Sequence, residues 1–523
     1  MRNIFAILFL LISFLGYSCQ VKDKFELKVG FIPFILFTSY IFLVALAARL
    51  SLMLVTIIIV NLIGLLLFVK FLYNNKEILG SLFPEYFLFF ISIGILSFYL
   101  YGRKFLMYDD FSHWATISRL LLRKDAINTG LDTTISFKSY PQAMAYFIYG
   151  IGRFFQFDES ILMIINSIFT LSGLFCFISL TKNKVINYIL TVLVIIYGFY
   201  YNIRPYCLLV DTILSTTGFA IFSFVYYYDF RKENNYLKYF LMPMFVSLVY
   251  VKNSGLFLSI FVLIYIIKKY MRKDYKIIII SLGSIFLSNL SWSNHIKNEF
   301  SYTGKHSMSI SQYKSGIATN HDLINGFTRE FLSRVFNDYL MWALISILII
   351  LLIYKKFDKL IISLLFSTIC IYVIYQIGNY FMFISSMTPG ELRRLACYDR
   401  YVRTIHMFLT LIVIYVLNFN YDDYLTKILS FLILIFSIFI MPKSEEIGFN
   451  NNEFRYQLEE EKNKNKIPRE KKILIKFKEK DFSRIYTRAS MYVFESNEIT
   501  DTFPGDEKQF NKNDYDYFID LSK

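Results

Sequence analysis

Charged side chains are scarce in this chain: Asp, Glu, Lys and Arg make up only 18% of its 523 residues, against about 25% in an average soluble protein. That shortage excludes an ordinary soluble globular protein. Long like-charged blocks among the apolar runs are also missing. The net charge of +15 is spread as short basic clusters between apolar runs, the pattern produced by membrane orientation, so no nucleic-acid partner is expected. Cysteines are few and odd in number, five in all at Cys19, Cys176, Cys207, Cys370 and Cys397. Irregular spacing, with several inside apolar runs, points to neither a disulfide framework nor a metal site. No internal repeat is evident.

What is present is hydrocarbon. Hydrophobic residues account for 56% of the chain and aromatic residues for 19%, and apolar runs of about 17 to 25 residues, the length a helix needs to cross a bilayer, recur along most of it. The expected fold class is an all-α polytopic membrane protein of about 14 transmembrane helices. The runs lie near 4–20, 30–48, 51–73, 83–101, 160–181, 184–201, 210–229, 237–251, 254–268, 276–292, 338–354, 359–380, 402–418 and 425–441. The first run ends in Gly16-Tyr17-Ser18-Cys19, loosely like a lipoprotein processing box. The bulky Tyr17 favours an uncleaved span.

Basic loops give an orientation. Arg231-Lys232, the cluster from Lys268 to Lys273, and Lys355-Lys356 each separate two runs and are expected in the cytoplasm. That alternation puts the segments 293–337 and 382–401 outside, and carries the loop 102–159 outside if the run Pro141 to Phe155 does not cross. The run is short for a span, so an amphipathic helix lying flat in the outer interface is expected there. Arg103-Lys104 then sit on the outer face, against the charge rule or as phosphate-binding groups. From about Pro442 the composition turns to Lys, Glu and Asn. A small extracytoplasmic α/β lobe is expected there, opening with a flexible linker around Glu459 to Lys472 and carrying strands at Ile473–Phe477 and Tyr486–Phe494. The division expected is 1–82 as accessory helices, 83–441 as a catalytic membrane module, and 442–523 as the lobe.

The chemistry is expected at Asp109-Asp110, in Met107-Tyr108-Asp109-Asp110-Phe111-Ser112-His113-Trp114. Ionised groups beside hydrocarbon must be solvated, paired or neutralised. A helix from Asp110 onward puts Asp110, His113 and Trp114 on neighbouring turns of one face. One carboxylate there can act as a general base, with Asp110 preferred because it leads into that helix, while the other binds the acceptor, orients its neighbour or holds a cation. Helix capping is the structural alternative. A divalent cation, Mg or Mn, would draw on Asp109, Asp110 and His113, although a lone His among apolar residues more often serves structure. Lys252, in a break followed by Gly255, is placed to neutralise a lipid-linked phosphate, or else to snorkel at a hairpin. Arg204 and Asp211 fall on the same face, as do Arg394, Arg400 and Tyr401 around Glu391 and Asp399. Outer-face arginines call for an anion, either a phosphate leaving group or those two acids.

This order of features resembles the GT-C superfamily of membrane glycosyltransferases, which includes protein O-mannosyltransferases and lipid A aminoarabinose transferases. The resemblance covers about residues 83 to 420. It rests on the acidic pair after the run 83–101, Tyr140-Pro141, Asp211-Thr212-Ile213-Leu214, Val251-Lys252-Asn253-Ser254-Gly255 and Arg400-Tyr401. Departures are the three preceding spans, Gln142 in place of a second proline, and Phe111-Ser112-His113-Trp114 after the acids. The resemblance implies inverting transfer of a sugar from a polyprenyl-phosphate donor to a cell-envelope acceptor at the outer face of a bacterial plasma membrane, with an acidic base and with Tyr140, His113 and the basic residues on the substrates. The competing functions are a lipid-linked polysaccharide polymerase or ligase and a transporter or flippase for lipid-linked sugars. The latter usually binds its cargo near the bilayer midplane.

Overall fold

The computed structural model describes residues 2–181, 183–201, 204–230, 235–272, 274–300, 321–439, 448–481, 483–504, 510 and 512–522. Lys182, Asn202-Ile203, Arg231-Lys232, Lys273, the segment 301–320 and residues 440–447 lie outside them. Every apolar run anticipated above falls on a helix. Among the described residues, nine stretches are long and apolar enough to cross a membrane, as in a multi-pass membrane protein: Asn3–Phe25, Val29–Arg49, Met53–Asn74, Lys76–Leu100, Glu159–Ser179, Tyr275–Glu299, His321–Tyr354, Lys359–Ser386 and Tyr398–Asn420. The other runs form helices of 17 residues or fewer, such as Lys184–Tyr200 and Asp211–Tyr227.

Local sequence starts several of these helices. Asp158, Asp274 and Asp358 each accept a hydrogen bond from the amide two residues on, at Ser160, Lys276 and Leu360, which satisfies a donor that the first helical turn leaves open. Burial sorts the helices into centre and rim. The apolar window of Tyr398–Asn420 is 94% buried, against 22% for Met53–Asn74 and for Lys76–Leu100. The rim helices turn residues such as Ile59, Phe83 and Phe98 outward, as suits hydrocarbon. Gly16 and Gly64 let two rim helices touch backbone to backbone: a Cβ on Gly16 would meet the Gly64 carbonyl at 2.0 Å.

The helix ends gather into two groups. At one, Lys269 Nζ donates to the carbonyls of Val225, Tyr226 and Tyr228, the Lys28 amide donates to the Tyr228 hydroxyl at 2.8 Å, and Lys355 pairs with Asp423 at 2.6 Å. At the other, Trp292 donates to the Ser139 carbonyl at 2.9 Å, Arg49 to the Ser291 carbonyl, and Gln156 to Asn3. The basic loops at Lys268-Lys269 and Lys355 thus collect at the end away from Asp109-Asp110.

Three local expectations need correction. The helix Ala143–Gly152 does not lie amphipathically on a surface: all its residues except Ile151 are buried, against the helices Ile32–Arg49, Glu159–Leu174 and Ala115–Lys124. Its sequence is apolar on every side, and such a helix is driven into the interior. Both flanks return to the same end of the bundle, through Ser139 on Trp292 and Arg153 on Asp125 at 2.8 Å.

The carboxy-terminal lobe holds three parallel strands, β1 (Ile473–Phe477), β2 (Ile499–Thr502) and β3 (Tyr517–Leu521), in the order β2-β1-β3. The expected strand at Tyr486–Phe494 is instead the helix Ile485–Phe494. Parallel neighbours require a crossover, and Ile485, Ala489, Tyr492 and Val493 bury one helical face. The expected linker is in part the helix Glu453–Lys464. The lobe docks on the 102–159 loop: Phe449 donates to the Leu106 carbonyl at 2.9 Å, and the buried Arg455 pairs with Glu159 at 2.7 Å and donates to the Phe105 carbonyl at 2.9 Å.

Candidate functional site

Four chain segments converge at the loop end of the bundle. Asp109 follows the helix Lys76–Leu100, Asp211 opens Asp211–Tyr227, Lys252 follows Leu241–Val251, and Arg400 lies in the first turn of Tyr398–Asn420. Their side chains form an alternating chain of charge. Arg400 Nη1 donates to Asp109 Oδ2 at 2.9 Å, Arg400 Nε lies 3.5 Å from Asp211 Oδ2, and Lys252 Nζ donates to Asp211 Oδ1 at 2.8 Å. Lys252 also stands over the Tyr401 ring, 5.2 Å from its centroid. Side-chain exposure falls from 25% at Asp109 to 3% at Asp211, so the chain runs from an accessible mouth to a dry floor. Arg400 Nε and Asp211 Oδ2 face each other as an ion pair without a hydrogen bond between them.

Gly255 sets the break that carries Lys252. A Cβ there would meet the Leu248 carbonyl oxygen at 2.0 Å, so the glycine permits two helix ends to touch.

The two adjacent acids face different ways. Asp110 is fully buried, and its Oδ1 accepts from the Leu208 amide at 2.8 Å, fastening the acidic loop to the segment that leads into Asp211. Asp109 looks toward Arg400 and occupies the N-cap position without capping through its side chain, so helix capping does not account for it. Burial raises the Asp109 pKa, but Arg400, His113 and Lys252 outweigh burial and hold the carboxyl below its usual value. The helix after Asp110 begins as a single π turn, Asp110–Trp114, and becomes α-helical at Ala115–Lys124, a local widening often found at functional sites.

His113 and Tyr140 border the cluster. The His113 ring contacts Trp114, Phe137 and Tyr140 at centroid distances of 4.6, 4.9 and 5.2 Å, and its Nδ1 lies 2.8 Å from the Ser112 hydroxyl. Burial, with Tyr401 and Asp109 close by, pushes the Tyr140 phenol well above its usual pKa, so it stays a donor. Asp109 faces Arg400, Asp110 accepts from the Leu208 amide, and His113 Nδ1 lies against the Ser112 hydroxyl. Among the described residues, no group of three or more His, Cys, Asp or Glu side chains is arranged to hold a metal ion.

Arg204 and Arg394 are not brought to the cluster. Arg204 is exposed and donates to the Tyr206 hydroxyl at 3.2 Å. Arg394 is exposed beside a short helix whose capping box uses Thr388 and Glu391, and Asp399 faces Arg334 at 3.4 Å. Lys104 pairs with Glu459 of the lobe at 3.1 Å, while Arg103 stacks on Tyr99 at 4.3 Å. Two features carry no sequence signal: Arg455, and the network in which Asp338 accepts from Tyr372 at 2.5 Å and meets His406 at 2.8 Å. Compared with protein-family models, curated proteins and solved structures, the chain matches none.

Proposed function

We propose that this protein is an integral membrane glycosyltransferase of the GT-C kind, with about 14 crossings, which transfers a sugar from a polyprenyl-phosphate donor to a cell-envelope acceptor at the extracytoplasmic face of the plasma membrane. The observation that carries this reading is the chain Asp109–Arg400–Asp211–Lys252, assembled from four segments at one end of the helices.

Sugar transfer from a lipid phosphate needs a cationic seat for the leaving group and a base for the acceptor hydroxyl. Lys252 and Arg400 supply the cations. Asp109, the more accessible acid, is the base; the sequence preference for Asp110 gives way because Asp110 is committed to the Leu208 amide. In the resting chain Arg400 occupies Asp109. A donor phosphate that draws Arg400 to itself frees that carboxylate, which takes the acceptor proton as the acceptor oxygen bonds to the anomeric carbon. The bond from that carbon to the phosphate oxygen breaks with inversion, and lipid phosphate leaves. Asp211 holds the two cations at the right spacing, and Tyr140 and His113 contact substrate.

Clustering of charge at one end, away from mid-depth, favours interface chemistry over transport. Mass spectrometry of lipids and glycans from a deletion strain tests the reading: accumulation of a polyprenyl-phosphate sugar, with loss of that sugar from an envelope glycan, is the expected result. An unchanged lipid and glycan profile overturns it.

A further inference from the structure

Between the helices Gly255–Tyr270 and Lys359–Ser386 a groove of about 320 Å³ faces outward from the bundle. Its rim residues Ile264, Phe366 and Ile374 are exposed. Small side chains hold it open: Ser363, Ser367 and Cys370 fall on one stripe of Lys359–Ser386 and line the groove without filling it. The ring of Phe257 closes its upper end, 5.4 Å from the Tyr375 ring and so near Gly378 that a Cβ there would lie 3.3 Å away. At the lower end, Lys268 Nζ donates to the Ser363 hydroxyl at 3.4 Å and joins the two helices. We propose that this groove holds an acyl chain of an anionic phospholipid from the leaflet at the basic end, with the lipid phosphate seated on Lys268 and the Ser363 hydroxyl.

Depth and charge select the occupant. From the level of Phe257 to that of Lys268 the helix rises about 16 Å, close to the roughly 15 Å of hydrocarbon in one leaflet. A leaflet acyl chain therefore fills the groove with its phosphate at the mouth. A polyprenyl chain reaching down from Lys252 is barred by Phe257, which also sets this site apart from the transferase reading. Lys268 is exposed and forms no ion pair among the described residues, and neither does Lys359, one residue before the lining Leu360. The acid beside them, Asp358, is committed to the Leu360 amide at 2.7 Å, and Lys355 already holds Asp423. The mouth thus carries an excess of positive charge beside bilayer hydrocarbon, the combination that recruits acidic headgroups. A zwitterionic headgroup brings its own cation to that excess and is expected to bind less well.

Full-length protein in detergent is offered phosphatidylglycerol, phosphatidylcholine with the same chains, and undecaprenyl phosphate, and the lipids retained are counted by native mass spectrometry. Wild type is expected to keep one phosphatidylglycerol in preference to phosphatidylcholine. Lys268→Gln, at an exposed position, is expected to reduce that preference about fivefold. Ser367→Phe, which fills the groove from another exposed position, is expected to lower retention of both phospholipids. Lys70→Gln on the rim helix Met53–Asn74 is the control and is expected to change nothing. Matching thermal transitions confirm the fold of each variant. Equal retention of the two phospholipids by wild type, or retention indifferent to either groove variant, overturns the proposal. Undecaprenyl phosphate that outcompetes phosphatidylglycerol and is lost in Ser367→Phe overturns it too, and gives the groove to the donor tail.

Discussion

Arg400 donates to the carboxylate of Asp109 at 2.9 Å across 291 positions of sequence, joining the loop after one helix to the first turn of another. Neither residue's neighbourhood in sequence names the other. The pair keeps Asp109 ionised and Arg400 fixed, and its opening is the event on which the proposed transfer depends.

The two adjacent acids should separate by experiment. Asp109→Asn is expected to lower transfer by about 10²–10⁴-fold, with normal abundance and membrane insertion. Asp110→Ala leaves the buried Leu208 amide without its acceptor and is expected to cost about 1–3 kcal/mol of stability, read as a lowered thermal transition in detergent. Wild-type transfer by purified Asp109→Asn on a polyprenyl-phosphate sugar would remove the base assignment.

Lys252 and Asp211 should behave as a coupled pair. Lys252→Met alone leaves Asp211, 3% exposed, with Arg400 as its remaining charged partner, and is expected to cost less than the about 3–5 kcal/mol of a fully uncompensated buried charge. The double variant Lys252→Met with Asp211→Asn is expected to recover most of that loss while remaining inactive. Additive losses in thermal unfolding would show that the two do not interact.

Acid should reveal the tie to Arg400. Because the folded pKa of Asp109 is depressed, the stabilisation it brings is complete above the unfolded value of about 3.9 and is lost as pH falls through the lower folded value. The acid limb of kcat/KM, which reports the free enzyme, is therefore expected below about pH 3.9. The limb of kcat should lie higher, because a donor phosphate has drawn Arg400 away. Coincident limbs would argue against an exchange of partners by Arg400.

Orientation can be read by thiol labelling in a variant lacking Cys370 and Cys397. Leu131, 87% exposed in the loop 102–159, and Met271, 63% exposed at the basic end, are the positions of choice. A cysteine at Leu131→Cys is expected to react with an impermeant maleimide on intact cells, and one at Met271→Cys only after permeabilisation. The reverse pattern would invert the topology and place the site in the cytoplasm.

Every residue of the candidate cluster was legible in the sequence, but not the pairing among them. Asp109, Asp211, Lys252, Arg400 and Tyr401 stand out because charge or a polar break at the end of an apolar run must be compensated. Arg204 and Arg394 stood out by the same rule, yet solvent and local partners suffice for them. Composition alone marks a residue as needing a partner; it does not say which partner.

The sequence by itself determined the helices, their approximate limits and the gathering of basic loops at one end, because run length and flanking charge act locally. Only the tertiary structure decided the rest. It turned Asp109 toward Arg400 and Asp110 into the interior, since consecutive residues on a helical turn point about 100° apart and only packing fixes which of them faces in. It buried Ala143–Gly152, made a crossover helix of Ile485–Phe494, and set Arg455 against Glu159. Each of those outcomes depends on partners far away in the chain, and distance along a sequence carries no record of distance in space.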